Sequence, residues 1–376
     1  MAAALSPAHF FWLLLVLCLA GFALLYATVR DAGCGARRRA LRRRIAALGA
    51  PAAEADEAAI EATIEAMREA MSHARQLLRQ PPRQRAAPVP WFLFLGDAAA
   101  NVPGLLAAAH AERLAASGSE PFGGPYWRWW LTGSMTAIEL HPSAVSDVAA
   151  APHARTLWLQ ALLALAERRD RIPINGLVVC VAASELLQPG GAGMKPLATR
   201  MRRLLDEAAD TLRLQLPVYL VVTGLEQLAG YATLRGALPP EVLAQAIGHR
   251  LVGPAAHGEA AAERLDALFD PMARQLHALR MALLCEQPGA SGRLAIHDFI
   301  EALRALQPAL REVAEALFES HGRGSRGPRW RGLYLTAAAS GAAGGAFVND
   351  LFERFLPADQ PLARPGRPPN ASAARS

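Results

Sequence analysis

The spacing of apolar residues divides the chain into stretches of different period. Phe10 to Val29 is an uncharged, strongly apolar run, and as a helix it is long enough to cross about 30 Å of hydrocarbon. From Glu54 to Gln80, Ile60, Ile64, Met67, Met71, Ala74 and Leu78 recur at four-three spacing. That helix opens acidic (Glu54, Asp56, Glu57, Glu61) and closes basic (Arg75, Arg79), as the macrodipole favours. Its seam wants a partner helix, supplied either by the chain's own domain or by a second copy. Further on come short, largely apolar stretches, Trp91 to Leu95, Met135 to Leu140, Leu177 to Val181, Pro217 to Val222 and Arg331 to Thr336. These read as strands buried on both faces. They alternate with amphipathic helices at Leu157 to Arg169 and Leu197 to Leu212, which predicts an α/β fold with a parallel sheet. From Glu241 to about Glu319 the period is helical throughout, with Leu265, Leu268, Phe269 and Met272, then Ile296, Phe299, Ile300 and Leu303. A helical extension is therefore expected before the last strand.

Prolines and shifts in composition set the boundaries. Pro81-Pro82 stop the second helix, an Arg/Pro linker runs on to Pro90, and the tail from Pro361 is rich in Pro, Arg, Ala and Ser. The expected organisation is a short periplasmic N-terminus (1–9), a transmembrane helix (10–29), and a basic juxtamembrane segment with a helical linker (30–88). An α/β domain (89–238), a helical subdomain (239–328), the final strand and helix of the α/β domain (329–357) and a disordered tail (358–376) follow.

Charge changes the picture at one place. The net charge of +6 is carried by arginine, Lys195 being the only lysine, and Arg30, Arg37, Arg38, Arg39, Arg42, Arg43 and Arg44 follow the apolar run directly. Such charges stay on the cytoplasmic side, which predicts a single pass with the bulk of the chain in the cytoplasm. A cleaved signal peptide fits poorly, since nothing before His9 is basic and the positive charges come after the apolar core. Leu41, Ile45 and Leu48 share a face, so the arginine segment either lies on anionic headgroups or acts as a plain stop-transfer signal. Charge gathered in one segment argues against a nucleic-acid-binding face. The Tyr126-Trp127-Arg128-Trp129-Trp130 cluster reads as packing rather than a base-stacking platform. Cys18, Cys34, Cys180 and Cys285 lie far apart, with no C-x-x-C and no histidine at metal spacing, so they read as reduced, mostly buried thiols and no metal is expected.

The candidate chemistry lies where the first strand meets its helix. Trp91 to Leu95 runs into Gly96-Asp97-Ala98-Ala99-Ala100-Asn101-Val102-Pro103-Gly104, the place of a phosphate-binding loop. In the pattern G-x-x-x-x-G-K-[ST], Asn101 stands for the second glycine, Val102 for the lysine and Pro103 for the hydroxyl. The later positions are altered too. Glu139 followed by Leu140-His141-Pro142 stands where a magnesium-managing Asp and its turn would be, and Thr223-Gly224-Leu225-Glu226 where a guanine-reading turn would be. The glycines before Lys195 have the wrong spacing, and Pro196 follows the lysine, so Pro189 to Pro196 is expected to be a surface loop. No catalytic, cofactor-binding or metal residue is assigned.

Several stretches together resemble the cytoplasmic part of the IcmF/TssM family of type VI secretion proteins. They are Trp91 to Leu106, Trp129-Trp130-Leu131-Thr132, Trp158 to Gly176 with Arg168-Arg169-Asp170-Arg171-Ile172-Pro173-Ile174-Asn175-Gly176, Leu216 to Tyr231, Arg331 to Thr336 and Phe347 to Pro357. The resemblance implies a GTPase-like parallel sheet with a helical extension, held at the bacterial inner membrane. With the nucleotide motifs lost, it implies a pseudo-GTPase: a non-enzymatic scaffold subunit of the secretion membrane complex, in a short form without the family's periplasmic region. Implied partners are other membrane-core and baseplate proteins, inner-membrane lipid and, as one option, further copies of the chain, with no nucleic acid and no cofactor. The alternatives are an NTPase with an altered site and a truncated regulator that competes with a full-length member.

Overall fold

The apolar runs between Trp91 and Leu335 become strands of one eight-stranded sheet. A computed structural model of the chain describes residues 7–48, 54–78, 89–114, 126–146, 153–188, 194–251, 259–319, 328–338 and 344–366. Two helices come first, α1 (Pro7–Ala47) and α2 (Glu54–Leu78). The α/β part follows as β1 (Trp91–Leu95), α3 (Val102–Ala108), β2 (Glu112–Arg113), β3 (Trp127–Leu131), β4 (Thr136–Leu140), α4 (Ala154–Arg168), β5 (Gly176–Ala182), α5 (Ala183–Leu186), α6 (Met194–Leu212), β6 (Leu214–Gln215) and β7 (Pro217–Thr223). Then come α7 (Tyr231–Ala237), α8 (Pro240–Ala244), β8 (Ile247–Arg250), α9 (Ala261–Glu286), α10 (Ala290–Ala305), α11 (Gln307–Phe318), β9 (Arg329–Leu335) and β10 (Arg364–Pro365). The sheet order is β2-β3-β4-β1-β5-β7-β9-β8. The five central strands from β4 to β9 are mutually parallel, while the edge pairings β2–β3, β3–β4 and β8–β9 are antiparallel.

Strand alternation sorts the core into two layers. Leu93, Leu95, Leu177, Val179, Leu220 and Val222 face one core, with side chains of α2, α4, α6 and α9 to α11. Phe92, Phe94, Val178, Cys180, Tyr219 and Tyr334 face the other, with α3 and the turn of π-helix at Leu351–Phe355. Covering both faces is what makes these strands read as unbroken apolar runs. The Pro-Ile-Asn-Gly stretch closes the start of the sheet. Asn175 Oδ1 accepts the N–H of Trp91 at 2.9 Å, and Arg169 donates to Asn175 Oδ1 while its guanidinium lies 4.4 Å from the Trp91 ring. A Cβ on Gly176 would come within 2.7 Å of the Phe92 ring, so only glycine lets β5 lie this close to β1.

Two expectations change. Residues 247–250 fall inside the stretch read as wholly helical, yet they form β8 on the edge of the sheet, where His249 pairs with Leu333; four residues are too few for periodicity to reveal. The disordered tail expected from 358 is ordered as far as 366, because Asp359 is buried among Arg250, Arg331 and Tyr219. Residues 367–376 of that tail lie outside the described residues, as do 1–6, most of the linker (79–88), residues 115–125 and the glycines at 189–193. The arginine segment also docks on the domain. Leu41 and Arg37 are buried, and Arg37, Arg38, Arg42 and Arg44 bind α4, the residues just after it and α6. The seam of α2 goes to the chain's own domain, with Trp127 Nε1 donating to Met67 O at 3.2 Å.

Among the described residues no helix is long and apolar enough to cross a membrane. The side chains described in the apolar part of α1 run from Phe10 to Leu25. That is short of the roughly 20 residues a span needs, and the run expected to cross, 10–29, extends past them.

Candidate nucleotide site

The C-terminal ends of parallel strands are where an open α/β sheet places its ligands. Here the loop from Gly96 to Asn101 joins β1 to α3. Gly96 is packed so tightly that a Cβ would lie 2.9 Å from Val102 Cγ2 and 3.3 Å from Cys180 Cβ. The side chains of Ala100 and Val102 turn into the core and are buried. Val102, in the place of the lysine, therefore fills the interior and presents no cation.

Three backbone donors here are already bonded locally. Asp97 Oδ1 accepts the Ala100 N–H at 3.0 Å, and Ala98 O accepts the Asn101 N–H at 3.3 Å. Asn101 adopts the left-handed region (φ 42°), which asparagine tolerates, and its Oδ1 accepts the Gly104 N–H at 3.2 Å. Pro103 has no N–H to offer. A phosphate arriving here would have to displace these bonds, and it would meet two carboxyl groups. Glu185, in α5 just beyond β5, hydrogen-bonds Asp97, and burial together with that neighbour pushes its carboxyl pKa up to about 7. Above that value Glu185 is charged, and a carboxylate beside the loop repels anions.

The other positions serve the scaffold. Glu139 is buried on β4, where its Oε2 accepts Trp130 Nε1 at 2.8 Å and its Oε1 accepts Arg128 Nη1 at 2.9 Å. Burial raises its pKa in spite of those two donors. His141 Nδ1 lies 2.9 Å from Ser143 Oγ and accepts the Ser143 N–H, capping a short 3-10 turn; burial lowers its pKa. Thr223 Oγ1 donates to Ala100 O at 2.7 Å, tying β7 to the β1 loop. Gly224 takes the positive φ (82°) that starts the next turn. Glu226 Oε2 accepts the Ala338 N–H at 2.9 Å, so the residue in the base-reading position instead ties the β7 turn to the segment after β9. Lys195 faces elsewhere, into a cleft of about 990 Å³ beside α6, α9 and α11, lined also by Arg202, Asp206, Glu312 and Glu315.

Among the described residues no group of three or more His, Cys, Asp or Glu side chains could hold a metal ion. Cys180 is buried, with its thiol pKa raised, while Cys18 and Cys285 are exposed, unlike the buried thiols expected. Sequence reasoning found the loop but missed the Asp97–Glu185 pair and the Asp359 cluster. Both join residues far apart in the chain, with no spacing to betray them.

A sequence model of the IcmF-related N-terminal domain matches residues 152–344. The type VI secretion system component TssM1 of Pseudomonas aeruginosa is 25% identical over 212 residues, which cover 56% of this chain and 19% of that protein. The chain thus spans about a fifth of the length of this curated relative.

Proposed function

The chain belongs to the IcmF/TssM family of type VI secretion proteins, and on that premise we propose that it is a non-enzymatic, membrane-anchored scaffold subunit of the secretion system's inner-membrane complex. Its GTPase-like domain acts through surfaces and not through nucleotide turnover. The observation that carries this reading is the state of the β1 loop: Val102 fills the core, Asp97 and Asn101 occupy the Ala100 and Gly104 amides, and the Asp97–Glu185 pair opposes an incoming phosphate. Triphosphate binding needs a lysine and a magnesium-linked hydroxyl to offset dense negative charge, and neither is supplied at this loop. The anchor is the apolar run from Phe10 to Val29. The large apolar side chains described there are 38% to 70% exposed, and a helix apolar on every side is unstable in water but suits lipid. Other proteins of the secretion membrane core and baseplate are the partners this role implies.

Calorimetry on the full chain in nanodiscs, titrated with GTP and with ATP in the presence of Mg²⁺, tests the reading. No heat of binding is expected at submillimolar nucleotide. Saturable micromolar binding that disappears in Asn101→Ala would reject the pseudo-GTPase and favour an NTPase with an altered site.

A further inference from the structure

The docking of α1 decides which side of the α/β part faces the bilayer. α4 and α6 lead into the parallel strands β5 and β7, so their C-terminal ends lie at the N-terminal edge of the sheet, opposite the β1 loop. α1 binds at those two ends. Arg37 Nη1 donates to Asp170 O at 3.1 Å, and Arg38 donates to Ala166 O and Glu167 O at 3.3 Å and pairs with Asp170. Arg42 pairs with Glu167 at 2.7 Å, and Arg44 Nη1 donates to Thr211 Oγ1 at 2.8 Å. These guanidinium groups satisfy the last carbonyls of α4, where the helix dipole favours cations.

The docked part and the apolar part of α1 are one uninterrupted helix, so no linker lets the domain swing away. At 1.5 Å per residue, Arg38 lies about 13 Å beyond Val29 along the axis. A headgroup layer of about 6 Å and an extended arginine side chain together fill that gap. Arg39 and Arg43 on α1 and Arg171 beside Asp170 are exposed, whereas Asp170 and Glu167 are already paired with Arg38 and Arg42. The described end of the chain returns to the same edge: β10 pairs with β6, the Gly366 N–H donates to Arg213 O at 2.8 Å, and Arg213 and Arg364 are exposed.

We propose that this edge, led by Arg39 and Arg171, is an interaction surface for anionic phospholipid headgroups, with the β1 loop and its Asp97–Glu185 pair turned away from the bilayer. Guanidinium groups bind phosphate through paired N–H donors, and the cytoplasmic leaflet presents phosphates at the depth that α1 sets. The proposal rests on the single-span reading above.

The test uses the full chain with Cys18, Cys34 and Cys285 changed to Ser, a fluorophore at Gln215→Cys or at Ser184→Cys, and vesicles carrying a headgroup-linked acceptor. Energy transfer is expected to be several-fold more efficient from position 215, on the proposed membrane side, than from 184 beside the β1 loop. Equal or reversed efficiencies would overturn the orientation. Hydrogen exchange of the 169–172 amides is expected to slow by about threefold when phosphatidylcholine is replaced by phosphatidylglycerol, and to lose that slowing in Arg39→Glu/Arg171→Glu. Exchange indifferent to lipid charge would overturn the headgroup contact. Vesicle flotation after a carbonate wash reads the span separately. A chain that fails to float removes the anchor and this proposal with it, whereas one that floats with equal transfer from both positions refutes the orientation alone.

Discussion

Asp359 has both carboxylate oxygens occupied: Arg250 and Arg331 reach it as cations, and Tyr219 donates its hydroxyl at 2.8 Å. Burial acts to raise its pKa, but the hydrogen bonds from Arg331, Arg250 and Tyr219 outweigh burial and hold it below the ordinary carboxyl value. A depressed carboxyl pKa stabilises the fold above the unfolded value, and that stabilisation is lost as pH falls through the folded one. Asp359→Asn is therefore expected to cost about 3 kcal/mol at pH 7, at the low end for a broken buried pair because the Arg250 side chain is 28% exposed. The gap from wild type in urea unfolding should narrow below about pH 4; a gap independent of pH would show that charge is not its source. Glu185 has the opposite sign. Its pKa of about 7 lies above that of an unfolded glutamate, so its contribution is present at low pH and lost as pH rises toward neutrality. Glu185→Gln should melt higher than wild type at pH 8, by roughly 2–4 °C for each 1 kcal/mol relieved. That gain should vanish by pH 5, and an equal gain at both values would rule out the charge of Glu185, disfavoured by burial and by Asp97, as its source. Neither residue was legible as part of a cluster in the sequence, because the groups it meets come from other strands and loops.

The helical layer from α9 to α11 was legible as an element. Its leucine and phenylalanine stripes are buried as the period predicts, with Leu265, Phe269, Ile296, Phe299, Leu303 and Leu310 all nearly inaccessible. Phe299 packs against the Tyr231 ring at 5.9 Å, joining α10 to α7 and so to the turn after β7. Phe299→Ala should destabilise the protein by about 3–5 kcal/mol, the cost of a large cavity. Thermal unfolding unchanged from wild type would place Phe299 outside the core. The partner of α2 was not legible. A four-three seam states that a helix has a dry side but not whose surface dries it, and Met67 and Met71 went to β3 and α4 of the same chain. The arginine run behaved likewise, since its charge pattern gave no hint that α4 would end beneath it.

For the molecule as a whole, the proposed single-pass topology rests on the order of apolar run and arginines, and it predicts that a reporter fused after Ser376 is active only in the cytoplasm. Activity in the periplasm would reverse the single-pass proposal. The alternation of buried strands and helices, the helical extension and the altered phosphate loop all depend on residues close together in the chain, so the linear order of side chains was enough to determine them. Strand order, the antiparallel edge at β8 and the ordered turn at Asp359 depend on contacts between distant segments, and the fold alone decided them. The same division runs through the candidate site. Loss of the lysine and hydroxyl at Val102 and Pro103 is a property of the sequence, because a side chain's chemistry does not depend on its neighbours. That the vacated loop is closed by its own Asp97, Asn101 and Thr223 contacts, and opposed by Glu185, was settled only when β1, β5 and β7 were brought side by side.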